Sequence, residues 1–272
     1  MLYYFNNEKI VLDIGGITVK EQLYTIPLMD AFKADDECPF CFIERNLEQY
    51  SINFVLGSGA SYMEDDIRSK TDKLGFCRTH YKKLYDYGNR LGCGLILSTH
   101  IKQKNKELEK KLQSYKPTKI SMLNRFKKAS APDLNSINQW IKEQTKSCYI
   151  CEHSKETYRR YLDTFFDLYK KESAFKEMIK ESKGFCLVHF GDLMEQADQT
   201  LSEKDRSEFY HLVFPLMLKH MQRVQKDIEW FCDKFDYKNK DADWKNSKDA
   251  IQRTMQKMVG GYPADPPFVQ DK

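Results

Sequence analysis

Apolar residues along this chain recur with the period of a helix, not the alternation of a strand. Phe42, Ile43, Leu47, Tyr50, Phe54 and Val55 predict a helix over 42–56, which Gly57-Ser58-Gly59 breaks. A second helix is predicted over about 60–73. The pattern then returns: Tyr158, Tyr161, Leu162, Phe165, Phe166 and Tyr169 predict a helix over 157–170, and Phe175, Met178 and Ile179 a return segment. Tyr81, Leu84, Tyr85, Leu91, Leu95, Ile96 and Leu97 predict a long helix, interrupted through Gly88, Gly92 and Gly94, that continues into the charged 102–111 stretch. Phe190, Leu193 and Met194 start a shorter one. Ser202, with Asp205 three residues on, reads as an N-cap. The helix it opens carries Phe209, Val213, Leu216, Met217, Val224 and Ile228, and Pro215 should kink it. Ser247-Lys248-Asp249 caps a last helix that stops at Gly260-Gly261. Alternation is weak everywhere, leaving at most a short strand near Val11 or Tyr24. The expected fold class is all-α.

The chemistry sits at the starts of these helices. Cys38-Pro39-Phe40-Cys41 is followed by Cys77-Arg78-Thr79-His80, and Cys148-Tyr149-Ile150-Cys151 by Cys186-Leu187-Val188-His189. The intervening lengths are 35 and 34 residues, and Gly-Phe precedes Cys77 and Cys186 in both copies. Three thiolates and one imidazole in two close pairs make a tetrahedral metal shell. A C-x2-C turn points two sulfurs at one ion, and Cys and His three apart on a helix share a face. A helix N-terminus also lowers a thiol pKa, favouring the thiolate that a metal needs. The expected ligands are Cys38, Cys41, Cys77 and His80 in one unit and Cys148, Cys151, Cys186 and His189 in the other. About 15 helical residues reach roughly 22 Å, so a hairpin would bring each C-x2-H back to the C-x2-C where it began. The ion would clip the base of each hairpin and offset the entropy of closing the loop.

The repeat sets a domain map: an extension over 1–19, a first metal-binding unit over 20–116, a linker over 117–133, a second unit over 134–236, and a tail over 237–272 that includes a short helix. The 272 residues, 41% hydrophobic and 13% aromatic, suffice for a packed core. A net charge of +4 is too mild to argue for nucleic acid, although Arg125, Lys127 and Lys128 form a small basic run in the linker. No stretch has the roughly 18–20 uninterrupted apolar residues of a membrane span. The first residues carry Glu8, Lys9 and Asp13, so no signal peptide is expected. Paired cysteines without an export signal point to reduced thiols in a cytoplasm.

The half-pattern Cys-Pro-x-Cys, a Tyr-rich helix, then Gly-Phe-Cys-x-x-His resembles an uncharacterised family of bacterial proteins, a domain of unknown function in which this unit often occurs twice. The resemblance extends to Leu23-Tyr24-Thr25-Ile26-Pro27-Leu28, to Arg160-Tyr161-Leu162-Asp163-Thr164-Phe165-Phe166, and to the tail from Lys234 through Trp244 and Lys248-Asp249-Ala250-Ile251. It implies that all eight ligand positions carry over and that residues 1–19 are an extension beyond typical members. It implies no activity. Some relatives bear transporter-associated names, but a solute-binding lipoprotein would need an export signal.

Zinc fits full coordination by protein, so the expected cofactors are two zinc ions at closed, structural sites, with iron–sulfur clusters as the alternative. The expected role is a cytoplasmic binding, adaptor or regulatory protein that engages a protein partner, with neither membrane nor nucleic acid. The tail around Asp241-Ala242-Asp243-Trp244 is the candidate contact surface. The rivals are a redox protein or sensor, and an enzyme with a cleft between the two units that uses His100 or His211. A thioredoxin-like role for Cys38 and Cys41 lacks a βαβ context. His153 competes with His189 as a ligand, and Cys93 and Cys232 are expected to be buried.

Overall fold

The computed structural model describes residues 19–115 and 137–261. The predicted basic linker and a possible strand at Val11 lie outside them. Among the described residues there is no strand, as expected for an all-α chain. Tyr24, the other strand candidate, lies inside a helix. The order is α1 (Val19–Lys33), α2 (Pro39–Leu56), a 3-10 turn (Ser61–Met63), α3 (Asp65–Leu74), α4 (Arg78–Tyr87), α5 (Arg90–Ser114), α6 (Ile137–Lys146) and α7 (Tyr149–Lys171). It continues with α8 (Ser173–Glu181), α9 (Leu187–Thr200), α10 (Glu203–Asp233), a 3-10 turn (Tyr237–Asn239) and α11 (Ala250–Val259).

Local signals explain most boundaries. The Ser202 hydroxyl accepts from the Asp205 backbone N–H at 3.2 Å and opens α10 as expected. The helix α10 continues through Pro215. Gly88, at φ +98°, ends α4, so the long helix divides there and α5 restarts at Arg90 with Gly92 and Gly94 inside it. The Asn89 side chain caps that restart by accepting from Gly92 N–H at 2.9 Å. The helix expected from residue 60 begins later, because Ala60 is held at φ 50° and a 3-10 turn intervenes.

Two compact units form, and each draws on both halves of the chain. Among the described residues, one comprises residues up to Leu47 together with those from Glu156 onward, and the other comprises the stretch from Glu48 to Lys155. These are not the contiguous segments 20–116 and 134–236 of the sequence map. The division falls inside α2 and inside α7. Each unit has its own core. In the first, Phe165, Phe166, Phe175, Phe185 and Phe209 pack edge-to-face, with Leu28 and Phe40 in the same core. In the second, Ile52, Val55, Leu56, Phe76, Leu84 and Ile96 pack with Tyr149 and Ile150.

Helix lengths show why the simple hairpin fails. The 18 residues of α2 rise about 27 Å, whereas the 10 residues of α3 come back only about 15 Å. In the second copy the 23 residues of α7 rise about 34 Å and the 9 of α8 return about 14 Å. In both copies the return helix is the shorter, so helix alone does not carry the C-x2-H back to its own C-x2-C.

Candidate metal centres

All four ligand pairs stand at helix N-termini. Cys38 immediately precedes α2, with Pro39 in the first-turn position where a missing N–H costs nothing. Cys148 immediately precedes α7. Cys77 and Cys186 are the N-cap residues of α4 and α9, and His80 and His189 follow three residues later, in the first turn. The Cys186 sulfur accepts from the His189 backbone N–H at 3.4 Å. The recurrent Gly-Phe before these caps has a conformational reason. Gly75 and Gly184 sit at φ +59° and +72°, a region that side chains disfavour, and they turn the chain into the cap.

The eight residues meet in two clusters, but the pairing is crossed. Cys38 and Cys41 meet Cys186 and His189; Cys148 and Cys151 meet Cys77 and His80. The expected clip of Cys38 and Cys41 to Cys77 and His80, and of Cys148 and Cys151 to Cys186 and His189, is therefore corrected. Each C-x2-C closes with the C-x2-H of the other repeat. The first cluster lies wholly in the first unit and the second wholly in the second.

The geometry is that of a shell around one point. His189 Nδ1 lies 3.3 Å from Cys38 Sγ, 3.5 Å from Cys41 Sγ and 3.2 Å from Cys186 Sγ. His80 Nδ1 lies 3.2 Å from Cys77 Sγ, 3.2 Å from Cys148 Sγ and 3.4 Å from Cys151 Sγ. A tetrahedral ion with metal–sulfur bonds of about 2.3 Å and metal–nitrogen bonds of about 2.0 Å puts N and S about 3.5 Å apart and two sulfurs about 3.8 Å apart. The observed Cys77–Cys151 sulfur separation is 4.0 Å. The donor set and its spacing thus fit a four-coordinate ion.

The far nitrogen of each histidine faces a carboxylate, and both carboxylates come from α2. His80 Nε2 donates to Glu48 Oε1 at 2.9 Å. His189 Nε2 lies 3.1 Å from Glu44 Oε2, within ion-pair reach but off the line of a well-aligned hydrogen bond. Such partners fix the tautomer that leaves Nδ1 free to ligate. Burial pushes the Glu48 carboxyl up, but His80 and Lys83 outweigh it and hold it below the usual range.

The sulfurs themselves call for a cation. In the first cluster burial drives the Cys38 thiol well up, and its neighbouring sulfurs add to this. Cys186 is held far below a normal thiol by hydrogen bonds from Cys38 and Cys41, with His189 adding to them. Burial lowers His189, but its sulfur and Glu44 partners prevail and hold it up at about 12. In the second cluster Cys151 is likewise pushed up by burial and by Cys148, while Cys148 comes down to about 6. Each cluster thus sets a lowered thiol against a raised imidazole, while ionisation of Cys38 and Cys151 is opposed by burial and by like charge. A divalent cation removes that opposition.

The surroundings of the two clusters differ. In the first, Cys38, Cys41 and Cys186 are 0% exposed and His189 1%. The Phe40 and Tyr158 rings stand 5.8 and 5.5 Å from the His189 ring. The end of α11 covers the sulfurs: a Cβ placed on Gly260 would lie 3.6 Å from Cys186 Sγ and 3.8 Å from Cys41 Sγ. One turn earlier on α11, the Lys257 ammonium donates to the carbonyls of Glu37 and Lys183, each at 2.6 Å, and approaches that of Phe185 at 3.4 Å. A single cation thereby ties together the two loops that deliver the ligands. Arg223, Arg253 and Lys257 surround the buried Glu37 carboxylate. In the second cluster the ligand loops join directly, through Tyr149 N–H to the Gly75 carbonyl at 2.9 Å and the Ser147 hydroxyl to the Leu74 carbonyl at 2.7 Å. There Cys148 is buried, Cys77 is partly exposed and Cys151 is exposed.

The other sequence candidates fall elsewhere. His153 stacks on Phe54 and Tyr149 and pairs with Ser51, outside either shell. The His100 ring bonds the Asp72 carbonyl at 2.8 Å, and His211 is exposed on α10. Cys93 is partly buried, but Cys232, expected inside, is exposed. The tail folds onto α10, with Trp244 against Phe231 and Phe235 and the Trp230 N–H on the Asp243 carbonyl. The residues that sequence reasoning missed are Glu44, Glu48, Lys257 and Gly260. Glu44 and Glu48 had a readable signal, since they recur three and seven positions after Cys41 on the same helix. No helix among the described residues is long and apolar enough to cross a membrane.

No curated protein matches the chain, and no solved structure does. The chain belongs to a family of unknown function, DUF6062, whose model matches residues 19–265.

Proposed function

We propose that this family member holds two zinc ions at closed structural sites and acts as a binding or adaptor protein. The observation that carries the metal reading is the position of each histidine Nδ1, 3.2–3.5 Å from three sulfurs at once. That spacing supports a single ion, because an iron–sulfur cluster distributes its protein ligands over separate irons and spreads them further apart. Four protein ligands leave no position open for substrate, which supports a structural role over a catalytic one. Free thiolates held for metal also favour a reducing compartment, in keeping with a cytoplasmic protein.

The adaptor reading draws on the end of the chain. Phe235 and Tyr237 are 73% and 81% exposed beside the Asp241–Trp244 stretch, a surface suited to a protein partner. The test is metal analysis of protein purified without oxygen, with an absorption spectrum. Two zinc ions per chain and no visible absorbance are expected. Iron with sulfide and a broad visible band, or no stoichiometric metal, would overturn the reading.

A further inference from the structure

The two clusters share a donor set but not an exposure. The three cysteines of the first are fully buried, with the end of α11 over the Cys41 and Cys186 sulfurs and the Phe40 and Tyr158 rings against His189. In the second, two of the three cysteines are not buried, Cys151 being exposed and Cys77 partly exposed, and their sulfurs stand 4.0 Å apart. The third, Cys148, is buried. A metal-bound thiolate keeps its nucleophilic lone pairs, so its reaction with an oxidant is governed by access.

We propose that the second cluster is a peroxide-responsive metal site, in which Cys151 is attacked first and Cys77 completes a disulfide that expels the ion. This rests on the reading of both clusters as metal sites and assigns their roles: the first a permanent clip, the second a releasable one. The chemistry balances. The Cys151 thiolate attacks one oxygen of a hydroperoxide, the O–O bond breaks, and the product is a sulfenic acid with hydroxide or alkoxide leaving. The Cys77 thiolate then attacks the Cys151 sulfur, the S–O bond breaks, and hydroxide leaves. Two protons from the buffer neutralise the two leaving groups. Two thiolates lose two electrons, the peroxide gains them, and the ion departs with only Cys148 and His80 left to hold it.

The product keeps unit two closed. Cys77 and Cys151 belong to the two ligand loops that meet there and are separated by 74 positions, so the disulfide replaces the metal clip with a covalent one. The loops are also held by the Ser147–Leu74 and Tyr149–Gly75 hydrogen bonds, neither of which uses a ligand atom. Release is therefore reversible once the disulfide is reduced.

The experiment uses the full chain loaded with zinc, its content first fixed by elemental analysis. Hydrogen peroxide is added stepwise beside a chromogenic zinc chelator, and cysteines are mapped by alkylation and mass spectrometry. A Cys232→Ser variant run in parallel excludes the exposed thiol outside the clusters. The expected result is loss of one of the two ions, a Cys77–Cys151 disulfide, intact thiols at Cys38, Cys41 and Cys186, and rebinding of one ion after reduction. Parallel loss of both ions, oxidation of the first cluster, a Cys148–Cys151 disulfide instead, or no release at peroxide levels that oxidise a free thiol would each overturn the proposal. Fewer than two ions at the start would count against the metal reading itself, so the two failures are distinguishable.

Discussion

Cys38 Sγ lies 3.3 Å from His189 Nδ1, across 151 positions of chain. That contact closes the chain from Cys38 to His189 into a loop, and its counterpart joins Cys148 Sγ to His80 Nδ1 at 3.2 Å across 68 positions. An ion at each point would convert its binding free energy into folding free energy.

The two carboxylates of α2 address separate histidines. Glu44→Gln should weaken only the first metal site and Glu48→Gln only the second, within the roughly 10–100-fold range for such partners. The larger loss is expected for Glu48→Gln, whose side chain is 21% exposed against 51% for Glu44. Competition with a calibrated chelator reads both, and equal loss at both sites from either variant would contradict the assignment.

Lys257 acts through the loops it joins. Lys257→Met removes its donor bonds to backbone carbonyls and should cost roughly 2–3 kcal/mol in a denaturant unfolding midpoint. Met258→Ala, one residue on but 49% exposed, should stay within about 0.5 kcal/mol. Matching effects from the two would show that the ammonium does not latch the ligand loops.

The metal-free protein should show a stability plateau with pH. Burial lowers His80, but Cys148 and Glu48 prevail and raise it to about 10. Its contribution is full below the unfolded value of about 6.5 and is lost as pH rises through about 10. Burial raises Cys148, but His80 and backbone N–H groups bring it from 9.0 to about 6. Its contribution is full above about 9 and is lost as pH falls through about 6. Urea midpoints of the chelated protein should thus be highest between about 6.5 and 9, and fall as pH drops to about 6 or rises to about 10. With metal bound the imidazolium proton is displaced, and only the acid side remains. A monotonic profile without metal would contradict the imidazolium–thiolate pair.

The helices and the eight clustered cysteines and histidines were legible because both are local signals. Ser202 before Asp205, Gly88 after Tyr87, and Cys three positions before His each depend on a few neighbouring residues. The pairing was not legible, because the two repeats have almost the same internal spacing. Cys41 to Cys77 and Cys151 to Cys186 therefore looked like self-contained clips. What decides otherwise is the lateness of α3, where a left-handed Ala60 and a 3-10 turn use up residues that a full return helix would need. Lys257 was hidden for a different reason. The inner face of α11 is polar, with Arg253, Gln256 and Lys257 buried while Met255 and Met258 are exposed, so its hydrophobic pattern points the wrong way.

The crossed pairing is the central claim, and metal stoichiometry in two double variants tests it most directly. Cys38→Ser with Cys186→Ser removes two ligands of one cluster, and Cys38→Ser with Cys77→Ser removes one ligand from each. The structure predicts one tightly held ion per chain in the first variant and none in the second. None in the first and one in the second would mean that each repeat clips itself, and the crossed architecture would be wrong.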